Sequence, residues 1–99
     1  MPPPVTTKIA AATLVTSIWA QPTGPLPVKG VSVFNNSASV NLFLGYSNAV
    51  TTSLYIVKLV AGAYWEMPYF AANDAQAGGW GIWDGSPGGS DVAEVTVYL

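Results

Sequence analysis

Between residues 28 and 99 the chain consists of short segments in which apolar and polar residues alternate. In one of these segments Val40, Leu42, Leu44 and Tyr46 fall on the same face. In three others the residues that share a face are Val31 and Val33; Trp65, Met67 and Tyr69; and Val95, Val97 and Leu99. A repeat of two residues is that of a β-strand with one buried face. The segments predicted to be strands are 28–34, 40–46, 51–60, 63–69, 80–83 and 92–99.

Residues typical of turns separate these segments. Clusters of Asn, Ser, Gly and Asp occupy 35–39, 47–50, 61–62 and 84–91, and 71–79 is predicted to be a loop. Short strands with a turn about every 8 to 12 residues predict an all-β fold. We expect a small antiparallel β-sandwich or flattened barrel, jelly-roll-like, because no segment of this domain has the period of a long amphipathic helix.

The residues before this domain are predicted to form an extended N-terminal arm. Three consecutive prolines near the start favour a polyproline conformation. The stretch QPTGPLP, residues 21–27, breaks any regular element. We therefore divide the chain into a Pro-rich arm and linker, 1–27, and a β-sandwich domain, 28–99. The apolar run within 8–21 is too short for a membrane span, which needs about 20 apolar residues, and is expected to belong to the mature fold.

The charge content is low for a protein of this size. Charged residues make up 8% of the chain, against roughly 25% in an ordinary soluble domain. Apolar residues make up 51%, which favours a surface covered by other protein subunits. The alternative is a monomer with a surface of uncharged Ser, Thr, Asn and Gly. Three lysines, no arginine and a net charge of −2 give no electrostatic footprint for nucleic acid or an anionic membrane.

The chain has few groups that could carry catalysis. It contains no histidine and no cysteine, the commonest general base and the commonest thiolate ligand. Asp84 and Asp91 flank a glycine-rich turn and could hold calcium, but Asp is a common turn residue. Glu66 and Glu94 could face each other like glycosidase carboxylates, but both fall at outward strand positions. We predict that the chain is not an enzyme and uses no cofactor or metal.

The aromatic stretch GGWGIWDG, residues 78–85, has two interpretations. Trp80 and Trp83, with Trp65 and Tyr64, could form a stacking platform for sugar rings. Alternatively the rings supply apolar area to the fold, since each buries about 150–250 Å². Alternation along the strand predicts Trp80 in the core and Trp83 at an interface.

Three segments carry a resemblance to a known family. They are VSVFNNSASVNLFLGYSNAVTTS from residue 31, LVAGAYWEMPY from residue 59, and the final VAEVTVYL. The pattern resembles small all-β structural proteins of tailed-bacteriophage virions, of the capsid decoration or cement type. It covers about residues 31–99, and the Pro-rich arm and GGWGIWDG have no counterpart in it.

The resemblance implies a structural role. Such a protein binds the major capsid protein, bridges its subunits to stabilise the head, and is often a homotrimer. The implied location is the capsid surface of the virion, with assembly in the host cytoplasm. No catalytic residues come with the resemblance. The alternative function is a carbohydrate-binding or receptor-binding β-sandwich module of a phage tail or neck component.

The candidate site residues follow from these interpretations. The residues expected to contact the capsid or another partner are Pro2, Pro3, Pro4, Val5, Ile9, Leu14 and Trp83. The aromatic residues expected in self-association or in the core are Trp65, Tyr69 and Trp80.

Overall fold

The computed structural model of the chain describes residues 5–20, 30–67 and 78–98. These residues form strands and connections, with no helix among them. The strands in this described part are β1 (Val5–Ala10), β2 (Thr16–Trp19), β3 (Gly30–Asn36), β4 (Leu42–Gly45), β5 (Val57–Leu59), β6 (Tyr64–Glu66), β7 (Gly79–Trp83) and β8 (Val92–Tyr98).

The strands form two four-stranded antiparallel sheets. Sheet A has the order β1-β8-β3-β6 and sheet B the order β2-β7-β4-β5. Strand β1 pairs with β8, β2 with β7, β3 with β6 and β4 with β5. These pairs are those of one long antiparallel hairpin, β1–β4 against β5–β8, that is folded into two sheets. This order is that of an eight-stranded jelly roll. It confirms the predicted all-β antiparallel sandwich.

The start of the sandwich differs from the predicted domain boundary at residue 27. Strand β1 pairs with β8 along all six of its residues, and β2 pairs with β7. Residues 5–20 therefore contribute one edge strand to each sheet instead of forming a separate arm. Their Thr, Val and Ile residues suit a pleated, half-buried surface. The remaining parts of the predicted arm and linker, 1–4 and 21–29, lie outside the described residues.

The core lies between the sheets and contains the residues that the alternation predicted. Leu42 and Leu44 of β4 are fully buried, as are Val33 of β3 and Val95 of β8. Trp65 and Val97 pack against this core from β6 and β8. The period-two pattern therefore placed the inner faces of β3, β4, β6 and β8 correctly.

Strand β7 has the opposite orientation to the one predicted. Trp83 is only 1% exposed, whereas Trp80 is partly buried on the other face. The inward positions of β7 are Gly79, Gly81 and Trp83. The sequence pattern placed Gly81 outward and Gly79 in the preceding loop. The expectation that Trp83 lies at a surface is therefore wrong.

The neighbouring strand β2 explains why glycines occupy inward positions. Its register with β7 shifts between Ser17 and Trp19, and the β-bulge adds one residue to β2, so that both Ile18 and Trp19 are buried. A Cβ on Gly79 would overlap the Trp19 ring, and one on Gly81 would lie 2.9 Å from the Ile18 side chain. Side chains of β2 thus fill the volume that the glycines leave.

A fully buried asparagine joins the two sheets. Asn35 of β3 is 0% exposed, and its side-chain amide donates to the carbonyls of Val40 (2.9 Å) and Leu59 (2.8 Å). Its Oδ1 accepts a hydrogen bond of 3.3 Å from the Trp83 indole. Asn35 belongs to sheet A, whereas Leu59 and Trp83 belong to sheet B. Because each polar atom of the Asn35 side chain has a partner, the group is buried without an orphaned donor or acceptor.

Replacing Gly79 with alanine should destabilise the fold. Gly79→Ala forces the Trp19 ring to move, and that ring is stacked on Trp65 with centroids 6.3 Å apart. We expect a loss of about 2 kcal/mol in the free energy of unfolding, measured by urea denaturation. Gly89→Ala is the control, because nothing lies within 4 Å of the added Cβ. Equal stability of the two variants would contradict this account of the β2–β7 packing.

Removing the Asn35 side chain should cost more. Asn35→Ala takes a partner from the Leu59 carbonyl and from the Trp83 indole, and it opens a small cavity. We expect a loss of about 3 kcal/mol in urea denaturation, since each buried polar group left unpaired costs about 1–3 kcal/mol. The exposed neighbour provides the matched control: Asn36→Ala removes only a hydrogen bond to Glu94 and should change stability by less than about 0.5 kcal/mol. Similar losses for both variants would show that Asn35 does not join the sheets.

Candidate functional site

The two ends of the sandwich differ in chemistry. Connections 11–15, 37–41, 60–63 and 84–91 meet at one end, which we call the clamped end. Connection 46–56, between β4 and β5, lies at the opposite end, since successive strands run in alternating directions.

Aspartates hold the connections of the clamped end together. The Asp84 carboxylate accepts hydrogen bonds from the backbone N–H of Asn41 (2.8 Å) and from its side-chain amide (2.9 Å). The Asp91 carboxylate accepts from the N–H groups of Ala38 (3.1 Å) and Gly88 (2.7 Å). The carboxylates thus satisfy backbone donors of the turns. Within the described ranges, no group of three or more His, Cys, Asp or Glu residues could hold a metal ion.

The hydrogen bonds of Asp84 favour its ionised form. The backbone N–H of Asn41, and then its side-chain amide, hold the pKa of Asp84 below the ordinary value of 3.8. The carboxylate therefore stays ionised to a lower pH than an aspartate without these hydrogen bonds.

The other two candidate carboxylates lie on the outer face of sheet A. Glu66 is exposed and accepts a hydrogen bond from the Tyr64 hydroxyl, which raises the pKa of Tyr64. Glu94 accepts a 2.8 Å hydrogen bond from the Asn36 side chain. Both carboxylates occupy outward strand positions, as the alternation predicted.

The connection between β4 and β5 exposes three consecutive large apolar residues. Leu54 is 63% exposed, Tyr55 43% and Ile56 48%. The sequence predicted them inside a strand, 51–60, but β5 begins only at Val57. Residues 54–56 lack the polar alternation of a strand with one solvated face. In the structure they lie outside β5 and form part of the molecular surface.

A threonine at the start of the connection explains the shorter strand. The Thr51 hydroxyl accepts hydrogen bonds from the N–H groups of Ser53 (3.1 Å) and Leu54 (2.9 Å). The backbone of Thr51 also bonds to that of Leu54 in both directions. A hydroxyl that bonds its own backbone in this way competes with the sheet ladder. The chain rejoins sheet B when the Ile56 N–H donates to the Leu44 carbonyl (2.8 Å).

The end of β4 and the β4–β5 connection line an apolar groove of about 230 Å³. Its lining consists of uncharged residues from the end of β4 and from the connection: Gly45, Tyr46, Ser47, Ala49, Val50, Leu54, Tyr55 and Ile56. Tyr46 lies edge-on to the buried Trp19, with ring centroids 6.4 Å apart, so one wall of the groove rests on the core. The groove is thus a formed concavity with an apolar lining.

Tyr55 connects the groove to the outer face of sheet B. Phe43 of β4 is only 5% exposed although it faces outward, and Tyr55 packs edge-on against it at 5.0 Å between centroids. The Lys58 ammonium lies 5.7 Å from the Phe43 ring centroid, within range of a cation–π contact. Ile82 of β7 is the cross-strand neighbour of Phe43. We call this region, the groove together with Phe43 and Lys58, the β4–β5 surface.

Of the partner-contact residues predicted from the sequence, those that the structure describes are not part of this surface. Ile9 packs against the core, Leu14 is 77% exposed in the β1–β2 connection, and Trp83 is buried. Val5 begins β1. Pro2, Pro3 and Pro4 lie outside the described residues.

The aromatic residues are also distributed differently from a sugar-binding platform. Trp65 stacks on Trp19 beside the core, and Trp83 is inside it. Tyr64 lies on the outer face of sheet A, whereas Trp80 lies on sheet B opposite Gly45. The four residues proposed for a platform therefore do not share a surface, and Tyr69 lies outside the described residues.

The Asp84 clamp predicts how stability depends on pH. A carboxylate whose pKa is lowered by folding stabilises the fold above its unfolded pKa, and this stability is lost as the pH falls through the folded value. Between pH 6 and about pH 2.5, the free energy of unfolding of Asp84→Asn should therefore fall less steeply than that of the unmodified chain. Urea denaturation at several pH values measures both slopes. Parallel curves would show that the clamp does not depend on the charge of Asp84.

Comparison with known proteins does not assign the chain. No protein-family model matches it, and neither a curated protein nor a solved structure does. In the described residues no helical segment has the length and hydropathy that crossing a bilayer requires. Because a jelly roll supports many unrelated functions, function has to be argued from the surface chemistry.

Proposed function

We propose that the chain is a structural protein of a bacteriophage virion, a capsid decoration or cement protein that binds major capsid subunits and stabilises the head. The observation that carries this proposal is the β4–β5 surface, an apolar region with Lys58 as its charged group on a domain that is poor in charge. Large exposed apolar regions mark protein interaction sites. The resemblance of residues 31–99 to virion proteins supplies the kind of partner.

The size and lining of the groove favour a protein partner over a small ligand. Ligand pockets usually measure about 300–1,000 Å³ and contain a few convergent polar groups. This groove measures about 230 Å³ and is lined mainly by apolar side chains. That volume accepts one or two apolar side chains of a neighbouring protein, which is how the central residues of an interface are buried.

The surface also has the rigidity that binding requires. Tyr55 is held by its ring contact with Phe43, and Tyr46 by its contact with Trp19. Aromatic anchors that are already packed lose little side-chain entropy on association, so more of the burial free energy appears as affinity. No step of this function needs a nucleophile or a general base, which agrees with a sequence that has no histidine or cysteine.

The virion assignment is tested on purified particles. Virus particles from the organism that carries this gene would be isolated on a density gradient, and the chain quantified by mass spectrometry. We expect a fixed ratio of the chain to the major capsid subunit across the particle band. Particles without the gene product should release their DNA at a lower temperature. Fully infectious particles that lack the chain, with unchanged heat stability, would overturn the proposal.

The binding surface is tested with two matched substitutions. Leu54→Asp places a charge in the groove, whereas Leu14→Asp places one at the clamped end on a side chain of similar exposure. Both should change the free energy of unfolding by less than about 0.5 kcal/mol, because both side chains are largely solvated. Leu54→Asp should weaken co-sedimentation with capsids at least about tenfold, and Leu14→Asp should not. The reverse result would move the capsid contact to the β1–β2 connection.

A further inference from the structure

The four sheet edges in the described part of the chain are not equally protected against pairing with another strand. Strands β5 and β6 have three residues each, and β2 has four residues and a β-bulge. Short or bulged edge strands are the usual means by which proteins prevent edge-to-edge pairing. Strand β1 has six residues in continuous register with β8 and no bulge. It is the one long, regular edge among the four.

The hydrogen-bond pattern shows which backbone groups of β1 point outward. In an antiparallel sheet, alternate residues of a strand bond to the neighbour on one side. Asn35 N–H donates to Ala63 and Met67 N–H to Val31, so odd-numbered residues of β3 bond to β6. Even-numbered residues of β3 therefore bond to β8. Their partners in β8 are also even-numbered, since Ser32 pairs with Thr96, so the odd-numbered residues of β8 bond to β1.

A second hydrogen bond supports this assignment. The N–H of Ala11 donates to the carbonyl of Asp91 (3.0 Å), which continues the ladder between odd-numbered residues just past β1. The N–H and C=O groups of Thr6, Lys8 and Ala10 consequently point away from β8. These residues are exposed, and their outward backbone groups form a template for one more strand.

The sequence of β1 fits a second copy of itself. Twofold antiparallel pairing must place residues of the same face opposite each other, so the two residue numbers of each pair add to an even number. With the axis at Thr7, Thr7 lies opposite Thr7 of the second copy, Thr6 opposite Lys8 and Val5 opposite Ile9. Thr6 and Lys8, whose backbone groups point outward, are then the residues that exchange hydrogen bonds.

The neighbouring register, with its axis at Lys8, would also use the outward groups of Ala10 and so form two more hydrogen bonds, but it carries an electrostatic cost. An axis at Lys8 places the two lysines directly opposite each other, and like charges in that position are destabilising. The axis at Thr7 separates the lysines and places each beside a threonine.

We propose that two copies of this chain associate through their β1 edges, with a twofold axis at Thr7, to form one continuous sheet of eight strands from the two A sheets. The pairing supplies four backbone hydrogen bonds between Thr6 and Lys8 of the two copies. It satisfies the outward backbone groups of Thr6 and Lys8 in a closed, isologous dimer. This inference does not depend on the virion function proposed above, and it gives a dimer where the resemblance implies a trimer.

Proline substitution tests the hydrogen bonds. Lys8→Pro removes an outward N–H and leaves the bonds between β1 and β8 in place, because those use the odd-numbered residues. The mass of the full chain would be measured by sedimentation equilibrium from 1 to 200 μM. We expect about twice the 10.3 kDa of one chain for the unmodified protein. Lys8→Pro should raise the dimer dissociation constant at least about tenfold, since two of the four bonds are lost.

Charge substitution tests the register. Thr6→Lys places two lysine pairs directly opposite each other and should weaken the dimer, whereas Thr6→Lys combined with Lys8→Glu should restore it. Thr96→Lys adds the same charge to the same face one strand further in and should leave the mass unchanged. Near-ultraviolet circular dichroism of each variant confirms that the fold is retained.

Three results would overturn the proposal. They are a monomer at every concentration, a trimer, and a dimer that neither Lys8→Pro nor Thr6→Lys weakens. A folded Thr6→Lys variant that stays dimeric while Lys8→Pro dissociates would exclude the register with its axis at Thr7. Failure of any of these experiments would leave the capsid assignment unaffected, because that assignment rests on the β4–β5 surface.

Discussion

The Asn35 side chain is the interaction on which the sandwich depends. It is one of the few polar groups in a core of aliphatic and aromatic residues, and it reaches from sheet A to both the Leu59 carbonyl and the Trp83 indole of sheet B. Apolar packing alone would allow the sheets to slide, whereas a buried hydrogen-bonded group is satisfied in one arrangement only. The hydrogen bond to the Trp83 indole acts together with the packing of Trp19 over Gly79 to hold β7 with Trp83 inward.

The orientation of β7 shows where sequence patterns succeed and where they fail. Alternation gave the correct inner faces of β3 and β4 because Val33 and Leu42 fill their own positions. It failed at β7 because the volume above Gly79 belongs to Trp19, a residue 60 positions away in the chain. A side chain of one strand can fill the space at a glycine of its neighbour only when the two strands are paired. The alternation within a single strand therefore does not reveal it.

The proposed binding surface was missed for a related reason. Leu54, Tyr55 and Ile56 looked like the middle of a buried strand, although the Thr51-Thr52-Ser53 sequence before them is typical of a hydroxyl-bonded turn. The N-terminal residues were assigned to an arm because prolines flank them, yet β1 and β2 complete both sheets. In both cases the local character, apolar for 54–56 and extended for the N-terminal residues, was interpreted correctly. The sequence of each segment alone does not show which other strand it packs against or pairs with. The low charge content predicted a surface covered by other protein subunits, and that stays a prediction.

Asn35 and the aspartate turns stabilise one end of the sandwich, and the β4–β5 surface, for which binding is proposed, lies at the other. Hydrogen exchange of the Trp83 indole N–H, observed by NMR, measures whether Asn35 locks Trp83 between the sheets. We expect this proton to exchange only when the whole domain unfolds, with the free energy that denaturant unfolding gives. Exchange that is faster by orders of magnitude, under conditions where the strands remain protected, would contradict it.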